Sequence, residues 1–244
     1  MKSFIVATSV ALLSTLSSPV VAQYLPLEQV PVTSSTTEPD PAPQDSQQDG
    51  VVEPPKKPKG ILLVVPSYIH EDVSVPASDS RPELNFGANI YSLRSAYIFP
   101  NGILTGGSVS YGKPDNNRIS DEFRYEANLG YGKRFDKFYP YIVGTFGLRS
   151  INEGPLSGNY TYYSILPGVV YDVTKKLYVD VSYRYRDTFT TQLNWRSNTV
   201  FAALGYRVTP TTSVQFTYGN VFQGDFGSNS YAFSVIKKIG RAHV

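Results

Sequence analysis

The stretch LYVDVSYRYR, residues 177–186, alternates strictly between two kinds of side chain. One set is Leu177, Val179, Val181, Tyr183 and Tyr185, and the other is Tyr178, Asp180, Ser182, Arg184 and Arg186. Successive side chains of a β-strand point to opposite faces, so this strand has one apolar face and one polar face. Such a strand suits a wall that separates lipid from water.

The same alternation recurs in the runs 163–173, 123–135, 199–208 and 214–218. Between the first of these and the opening stretch lies only Thr174-Lys175-Lys176, which predicts a hairpin turn. A soluble β-sandwich also alternates, so alternation alone does not decide the fold. The apolar faces, however, carry aromatic residues near both strand ends, as the two interfacial girdles of a membrane barrel require.

The connections between the runs alternate in length. Short turns are expected near residues 100–101, 136–137, 174–176 and 209–212, and long loops near 113–121, 151–159, 187–197 and 223–230. This rhythm gives nine strands from Leu84 onward. An even count with both chain ends in the periplasm needs one more, and Ile61–His70 is the candidate, although Pro66 weakens it.

The predicted fold class is therefore all-β: a transmembrane, antiparallel, up-and-down β-barrel of about ten strands, with eight as the alternative. The barrel is expected to cover residues 61–238. After Ala22 no uninterrupted apolar stretch is long enough for a membrane-spanning helix, which excludes a helical membrane protein.

Two segments are expected to precede the barrel. Residues 1–22 resemble a secretory signal peptide, with Lys2, an apolar run and a small residue before the cleavage point. A membrane anchor is the alternative, but the apolar run is shorter than the roughly 20 residues that a span needs. Residues 23–60 are rich in Pro, Ser, Thr, Asp and Gln, which predicts a disordered periplasmic segment. It is either a spacer that contacts peptidoglycan or a free tail.

The composition excludes several kinds of function. The chain has no Cys, so neither disulfides nor a lipoprotein anchor are possible. The net charge of +2 is too small to indicate a nucleic-acid partner. The sequence also lacks a zinc motif, a phosphate-binding loop and a dinucleotide fingerprint, so we expect no cofactor and no metal.

The chain ends in an unusual way. Bacterial outer-membrane barrels commonly close with an aromatic residue, whereas this sequence stops at Val244. The last six residues, IGRAHV, also translate a stretch of a widely used sequencing adapter. We therefore expect residues 239–244 to be a read-through artefact, with a native polar tail as the alternative. Recloning from genomic DNA tests this, and recovering the same codons followed by a stop would refute it.

The inward positions of the predicted strands are polar and charged. They are Arg124, Glu126, Arg134, Arg149, Asp172, Asp180, Arg184, Arg186 and Arg207. Arginines beside carboxylates on adjacent strands form paired networks, and a ten-stranded barrel is close to the size that side chains fill. We expect a structural network in the lumen. The alternative is a narrow pore that weakly prefers anions, because arginine exceeds acid.

An enzymatic role has little support in the sequence. The strand number resembles that of omptins, surface proteases that rely on acidic and histidine residues near the outer rim. Here His70, followed by Glu71 and Asp72, is the only histidine before the last six residues. A lone histidine beside acids is more often a solvated surface group, and no serine has a histidine at recognisable spacing. A surface hydrolase remains a distant alternative.

The loops are the remaining place for function. They are polar, and one of them contains Asn194, Trp195 and Arg196, including the only Trp of the chain. Exposed loops of this kind suit contact with a host surface, a glycan or a phage, although they also simply close hairpins.

Residues 61–238 resemble in architecture the small barrels of the opacity-protein and surface-antigen group. The resemblance rests on the strand and loop pattern, since no residue motif ties the chain to one family. It implies a structural or adhesin-like role. It also implies outer-membrane lipid, lipopolysaccharide and the barrel-assembly machinery as partners.

Overall fold

The computed structural model describes residues 60–75, 84–115, 121–151, 158–189, 196–222 and 227–239. The predicted signal peptide, the Pro-rich segment up to residue 59 and residues 240–244 lie outside these ranges. Within them, no helix is long and apolar enough to cross a membrane.

Ten strands form a closed antiparallel barrel. They are β1 (Ile61–Val75), β2 (Leu84–Ile98), β3 (Ile103–Pro114), β4 (Glu122–Gly132), β5 (Phe138–Ile151), β6 (Gly158–Asp172), β7 (Leu177–Thr188), β8 (Ser197–Thr209), β9 (Thr212–Val221) and β10 (Gly227–Ile239). Each strand pairs with its neighbours in sequence, and β1 pairs with β10. The predicted fold class is confirmed, with ten strands and not eight. The uncertain first strand is longer than expected and pairs on both sides.

The two ends of the barrel differ in their connections. Residues 99–102, 133–137, 173–176 and 210–211 are the short connections, and they share one end with Ile61 and Ile239. We name this the turn end and the opposite one the loop end. In the first of the short turns, Gly102 adopts a φ of 90°, which favours glycine, and its N–H donates to the carbonyl of Phe99 at 3.0 Å.

The predicted alternation is confirmed by burial. On β7, Val181 is 50% exposed on the outer face, whereas Arg184 is fully buried on the inner face. Outward aromatic rings collect near both strand ends, for example Tyr163 at the loop end of β6 and Tyr171 at its turn end. Eight residues at about 3.3 Å each separate these rings by about 26 Å along the strand. That distance is comparable with the ~25 Å apolar band of membrane barrels.

Two prolines interrupt the hydrogen-bond ladder on one side of their strands. The β1–β10 pairing passes from Val64–Lys237 to Ser67–Ser234 and skips Pro66, which still pairs with Leu93 of β2. Pro167 similarly interrupts the β6–β7 pairing but keeps its partner on β5. Because proline has no N–H, each one removes a hydrogen bond from a single seam of the barrel.

Part of the barrel interior is apolar, which the sequence reading missed. The inward face of β1, β2 and the adjoining strands carries Ile61, Leu63, Val65, Ile69, Val73, Phe86, Ala88, Ile90, Ala96, Ile98, Leu104, Ala232 and Ile236, all buried. The expectation of an interior lined by polar and charged groups is therefore wrong for this arc. The sequence does indicate an apolar inner face here, because residues 61–65 are apolar at every position. This pattern is typical of strands that are buried on both faces.

Candidate functional site

The opposite arc of the lumen, formed by β4 to β9, is charged. Near the loop end, Glu122 accepts hydrogen bonds from Arg124 and Arg149, and each of these three side chains is 2% exposed. The first two share the inward face of β4, and Arg149 is the cross-strand partner of Arg124 on β5. The strand alternation and register thus place one carboxylate between two guanidinium groups, which compensates its buried charge.

A second group of this kind lies near the turn end. The carboxylate of Asp172 accepts from Arg134 Nη1 and from Arg207 Nη2, each at 2.5 Å. Asp172 ends β6, while Arg134 comes from the turn after β4 and Arg207 from β8. The guanidinium of Arg207 also lies 4.9 Å from the ring centre of Tyr178. Asp172 of β6 therefore links β8 and the turn after β4 through its two ion pairs.

Glu126 forms a third group between these two. Its carboxylate accepts from Ser108 Oγ at 2.8 Å and from Tyr162 Oη at 2.7 Å. The positive charges of Arg186 and Arg94 also attract it. Arg186 in turn lies over the ring of Tyr162, with 4.8 Å between the guanidinium carbon and the ring centre.

Further inward polar groups continue this arc. Asp180 accepts from Tyr141 Oη at 2.9 Å, and the guanidinium of Arg184 lies 5.1 Å from the ring centre of Phe201. Glu71 of β1 also points inward, where it accepts from Ser228 Oγ at 2.9 Å. Across the described lumen arginines outnumber carboxylates, so the interior carries a net positive charge if all acids are ionised.

Inward tyrosines fill the remaining volume by packing over glycines. A Cβ added at Gly205 would lie 1.8 Å from Tyr178, and one at Gly147 or Gly168 would lie 2.2 Å from the neighbouring tyrosine ring. Only a residue without a side chain leaves room for a ring at these positions. This pairing of a large residue with a glycine lets rings lie flat against the wall and close the interior.

Burial shows how completely the lumen is filled. Arg184, Tyr139 and Tyr178 are all fully buried. Side chains that line a water-filled channel stay accessible to water. The largest inward side chains of the described strands are therefore out of contact with water, on the apolar arc and on the charged arc alike.

The structure brings the predicted lumen residues together. All nine, Arg124, Glu126, Arg134, Arg149, Asp172, Asp180, Arg184, Arg186 and Arg207, lie on the inside of the wall or at its turn end. Sequence reasoning missed Glu71, Arg94 and Glu122. Glu122 lies two residues before Arg124 and therefore points to the same face of β4. The alternation of the sequence could have predicted that it faces the lumen.

The predicted surface contacts are only partly visible. Asn194 and Trp195 lie outside the described residues. Arg196 is exposed at the loop end and forms an ion pair with Asp187, with 3.4 Å between Nε and Oδ2. The same carboxylate oxygen accepts from Tyr185 Oη at 2.9 Å.

His70 belongs to a hydrogen-bonded row on the outer face. Asn89 Nδ2 donates to Asp115 at 2.9 Å, so Asn89 Oδ1 is the acceptor for Tyr68 Oη at 2.6 Å and for His70 Nδ1 at 3.1 Å. The other ring nitrogen lies 3.3 Å from Asp72 Oδ1. In the part of the chain that the structure describes, neither imidazole nitrogen contacts a serine or threonine hydroxyl.

Only one of the two acids next to His70, Asp72, contacts its ring. Glu71, the residue between His70 and Asp72, points to the opposite face of the wall. Throughout the described ranges, no three His, Asp or Glu side chains converge in a way that could hold a metal ion.

Comparisons with known proteins agree on the fold. No family model matches the sequence, and no curated protein matches it. Among solved structures, an outer membrane channel from Pseudomonas putida F1 matches with a TM-score of 0.50 and 13% identity, covering 77% of this chain and 100% of the other. Neisserial surface protein A matches with a TM-score of 0.35 and 15% identity, covering 73% and 97%. The KdgM porin matches with a TM-score of 0.41 and 14% identity, covering 72% of this chain and 99% of the other.

Fold, aromatic girdles and comparisons together define the class of protein. The chain is a small transmembrane β-barrel with the fold of outer-membrane barrel proteins. The likeness to the Pseudomonas putida channel, at 13% identity, shows the fold and does not select a role.

Proposed function

We propose that the protein is a non-enzymatic, non-conducting barrel of the bacterial outer membrane that serves as a rigid scaffold for surface loops. The observation that carries this proposal is the filled lumen, in which side chains such as Arg184 and Tyr178 are fully buried. A scaffold gains stability from a packed interior, whereas a porin needs an open one.

The orientation follows from the connections. Outer-membrane barrels keep short turns on the periplasmic side and longer loops outside. The turn end of this barrel would therefore face the periplasm, together with the N-terminal segment, and the loop end would face the medium. Arg196 and its loop neighbours are then the candidate contacts for a host surface or a glycan. Lipid, lipopolysaccharide and the barrel-assembly machinery are the expected partners within the membrane.

A narrow pore is the second candidate, and one observation favours it. The lumen holds Arg94, Arg124, Arg134, Arg149, Arg184, Arg186 and Arg207 against Glu71, Glu122, Glu126, Asp172 and Asp180. If the interior opened, this excess of positive charge would favour anions.

Planar-bilayer recording separates the two candidates. We expect the purified barrel to show little or no steady conductance, because the packed side chains leave no continuous water path. A known porin in the same bilayer serves as the positive control. The double variant Arg184→Ala, Arg186→Ala should increase conductance, since it empties part of the lumen. Large, steady, anion-selective channels from the wild-type protein would refute the scaffold and support the pore.

The His70→Ala variant tests for an enzyme. We expect any hydrolytic activity of the purified barrel towards peptides or lipids to be the same in the variant and the wild type. The reason is that both imidazole nitrogens already face Asn89 and Asp72. A wild-type activity that the variant loses would contradict the non-enzymatic role. Lys137→Ala, a change of an exposed side chain in a turn at the opposite end of the barrel, is the control for nonspecific loss.

A further inference from the structure

The turn end of the barrel carries a strongly basic face. It is formed by the β4–β5 turn, the β6–β7 turn and the adjoining ends of β6, β8 and β10. The described residues there include eight basic side chains and two acids, namely Lys133, Arg134, Asp136, Lys137, Asp172, Lys175, Lys176, Arg207, Lys237 and Lys238. The basic face therefore has a large excess of positive charge, although the net charge of the whole chain is only +2.

Most of this positive charge is exposed and has no acid beside it. Four exposed lysines of the basic face form no ion pair within the described ranges, namely Lys133, Lys137, Lys175 and Lys176. The acids of the face do not offset them. Asp172 already lies between Arg134 and Arg207, 2.5 Å from each, which leaves Asp136 as the one exposed acid among the described residues of the face.

Backbone hydrogen bonds fix the lysine-bearing turns against the neighbouring strands. The carbonyl of Lys137 accepts from the N–H of Asp172 at 2.9 Å, and the carbonyl of Lys176 accepts from the N–H of Arg207 at 2.8 Å. Each turn is thus attached to the strand next to it. The lysines of both turns therefore belong to one continuous rim that extends from β4 to β8.

The sequence before the barrel has the opposite charge. Residues 23–55 contain no Lys or Arg and six acids, which are Glu28, Glu38, Asp40, Asp45, Asp49 and Glu53. We name residues 28–53 the acidic segment. Three lysines, Lys56, Lys57 and Lys59, separate it from β1. Because β1 begins at Ile61, at the turn end, the acidic segment is covalently attached beside the basic face.

The acidic segment is long enough to reach the whole face. Ten strands about 4.8 Å apart and tilted by about 40° give a barrel roughly 20 Å across. The eleven residues from Gly60 back to Asp49 can extend over about 36 Å, so the acids from Asp49 backwards can reach the far side. A short tether also gives an effective concentration in the millimolar range, at which several individually weak surface ion pairs suffice for binding.

We propose that the acidic segment binds across the basic face of its own barrel. Opposite charge, attachment at the correct end and sufficient reach carry this inference. The exposed lysines of the two turns bind the carboxylates of the segment, which is then held at the turn end and does not extend away as a spacer or a free tail. The inference depends on charge and chain connectivity and not on the function of the barrel as a scaffold or pore.

Spin labelling of the acidic segment tests this contact. The chain has no Cys, so Ser46→Cys gives a single labelling site in the full chain. In phosphatidylcholine vesicles at low salt, we expect a large immobilised fraction in the EPR spectrum. That fraction should fall several-fold at 1 M salt, where the screening length is only about 3 Å. A carbodiimide, which joins a carboxylate to an amine in contact with it, should cross-link the segment to Lys175 or Lys176.

Charge reversal identifies the surface that binds the segment. Lys175→Glu together with Lys176→Glu should lower the immobilised fraction several-fold. The matched control is Lys113→Glu together with Arg196→Glu, which changes the net charge equally at exposed positions of the loop end and should have no effect. All variants must keep the gel mobility of the folded barrel. Equal effects of the two pairs would overturn the proposal.

A charge exchange separates direct contact from an indirect effect. Adding Asp45→Lys and Asp49→Lys to the variant with Glu at positions 175 and 176 should restore the immobilised fraction. A label that is mobile in the wild-type chain at low salt would refute the contact. If phosphatidylglycerol in the vesicles releases the segment, the basic face binds anionic lipid headgroups and the proposal is wrong.

Discussion

Glu122→Ala is expected to destabilise the folded barrel by about 3–5 kcal/mol, the usual cost of removing one partner from a buried ion pair. The reason is that Glu122 lies between Arg124 and Arg149, and all three side chains are almost completely buried. Without the carboxylate, two guanidinium groups would remain close together with no acid between them. Urea unfolding of the barrel in detergent, followed by tryptophan fluorescence and gel mobility, measures the change.

An exposed ion pair provides the control for this prediction. Asp72 faces His70 on the outside of the barrel with its side chain 60% exposed, so Asp72→Ala should cost no more than about 1 kcal/mol. Removing Arg149 together with Glu122 should cost less than the sum of the two single changes, because the two groups act on each other. If Glu122→Ala and Asp72→Ala lowered the free energy of unfolding by the same small amount, the buried ion pairs of Glu122 would not stabilise the barrel.

The division of the lumen into two arcs has a physical reason. The buried apolar side chains of β1 and β2 need no hydrogen-bond partners, so they can pack across the seam where the chain closes on itself. The charged arc on β4 to β9 carries three acids, Glu122, Glu126 and Asp172, and each of them lies beside arginines. Apolar packing and charged groups can share one interior because the paired acids and arginines offset each other's cost of burial.

The fold could be predicted from the sequence because a membrane barrel requires apolar and polar side chains to alternate along each strand. Lipid on one side and a crowded lumen on the other make most outward residues of β4, β6, β7 and β8 apolar, and turn lengths then give the strand count. The first strand was the least certain element, since Pro66 and the two apolar faces of Ile61–Val65 both differ from that pattern. The proline is accommodated because it removes a hydrogen bond on one side only.

The site was predictable in content but not in pairing. The alternation of side chains along each strand places Arg124, Arg184 and Arg207 inside the barrel. This alternation can be recognised in the sequence of a single strand. The choice of partner depends on register and on contacts across the lumen, such as Asp172 between Arg134 and Arg207. The packing of tyrosine over glycine has the same origin, because Tyr178 and Gly205 become neighbours only when β7 and β8 pair.

Gly205→Val is expected to destabilise the barrel by about 3 kcal/mol, the upper end of the range for overpacking a filled interior. A Cβ at this position would lie 1.8 Å from the ring of Tyr178, which is fully buried and stacked against Arg207. The ring would have to move, and the guanidinium that compensates Asp172 would move with it. Equilibrium unfolding in urea gives the change in stability, and the fraction folded after refolding into detergent gives the effect on assembly.

Ala202→Val, on the lipid face of the same strand, adds the same kind of side chain where Ala202 is exposed, and it should change stability by less than about 0.5 kcal/mol. If steric conflict with the ring is the cause, Tyr178→Ala should relieve part of the loss in the double variant, so the two changes would not add. Equal destabilisation by Gly205→Val and Ala202→Val would instead point to an effect of valine on β8 itself. The packing of tyrosine over glycine would then not be what closes the lumen.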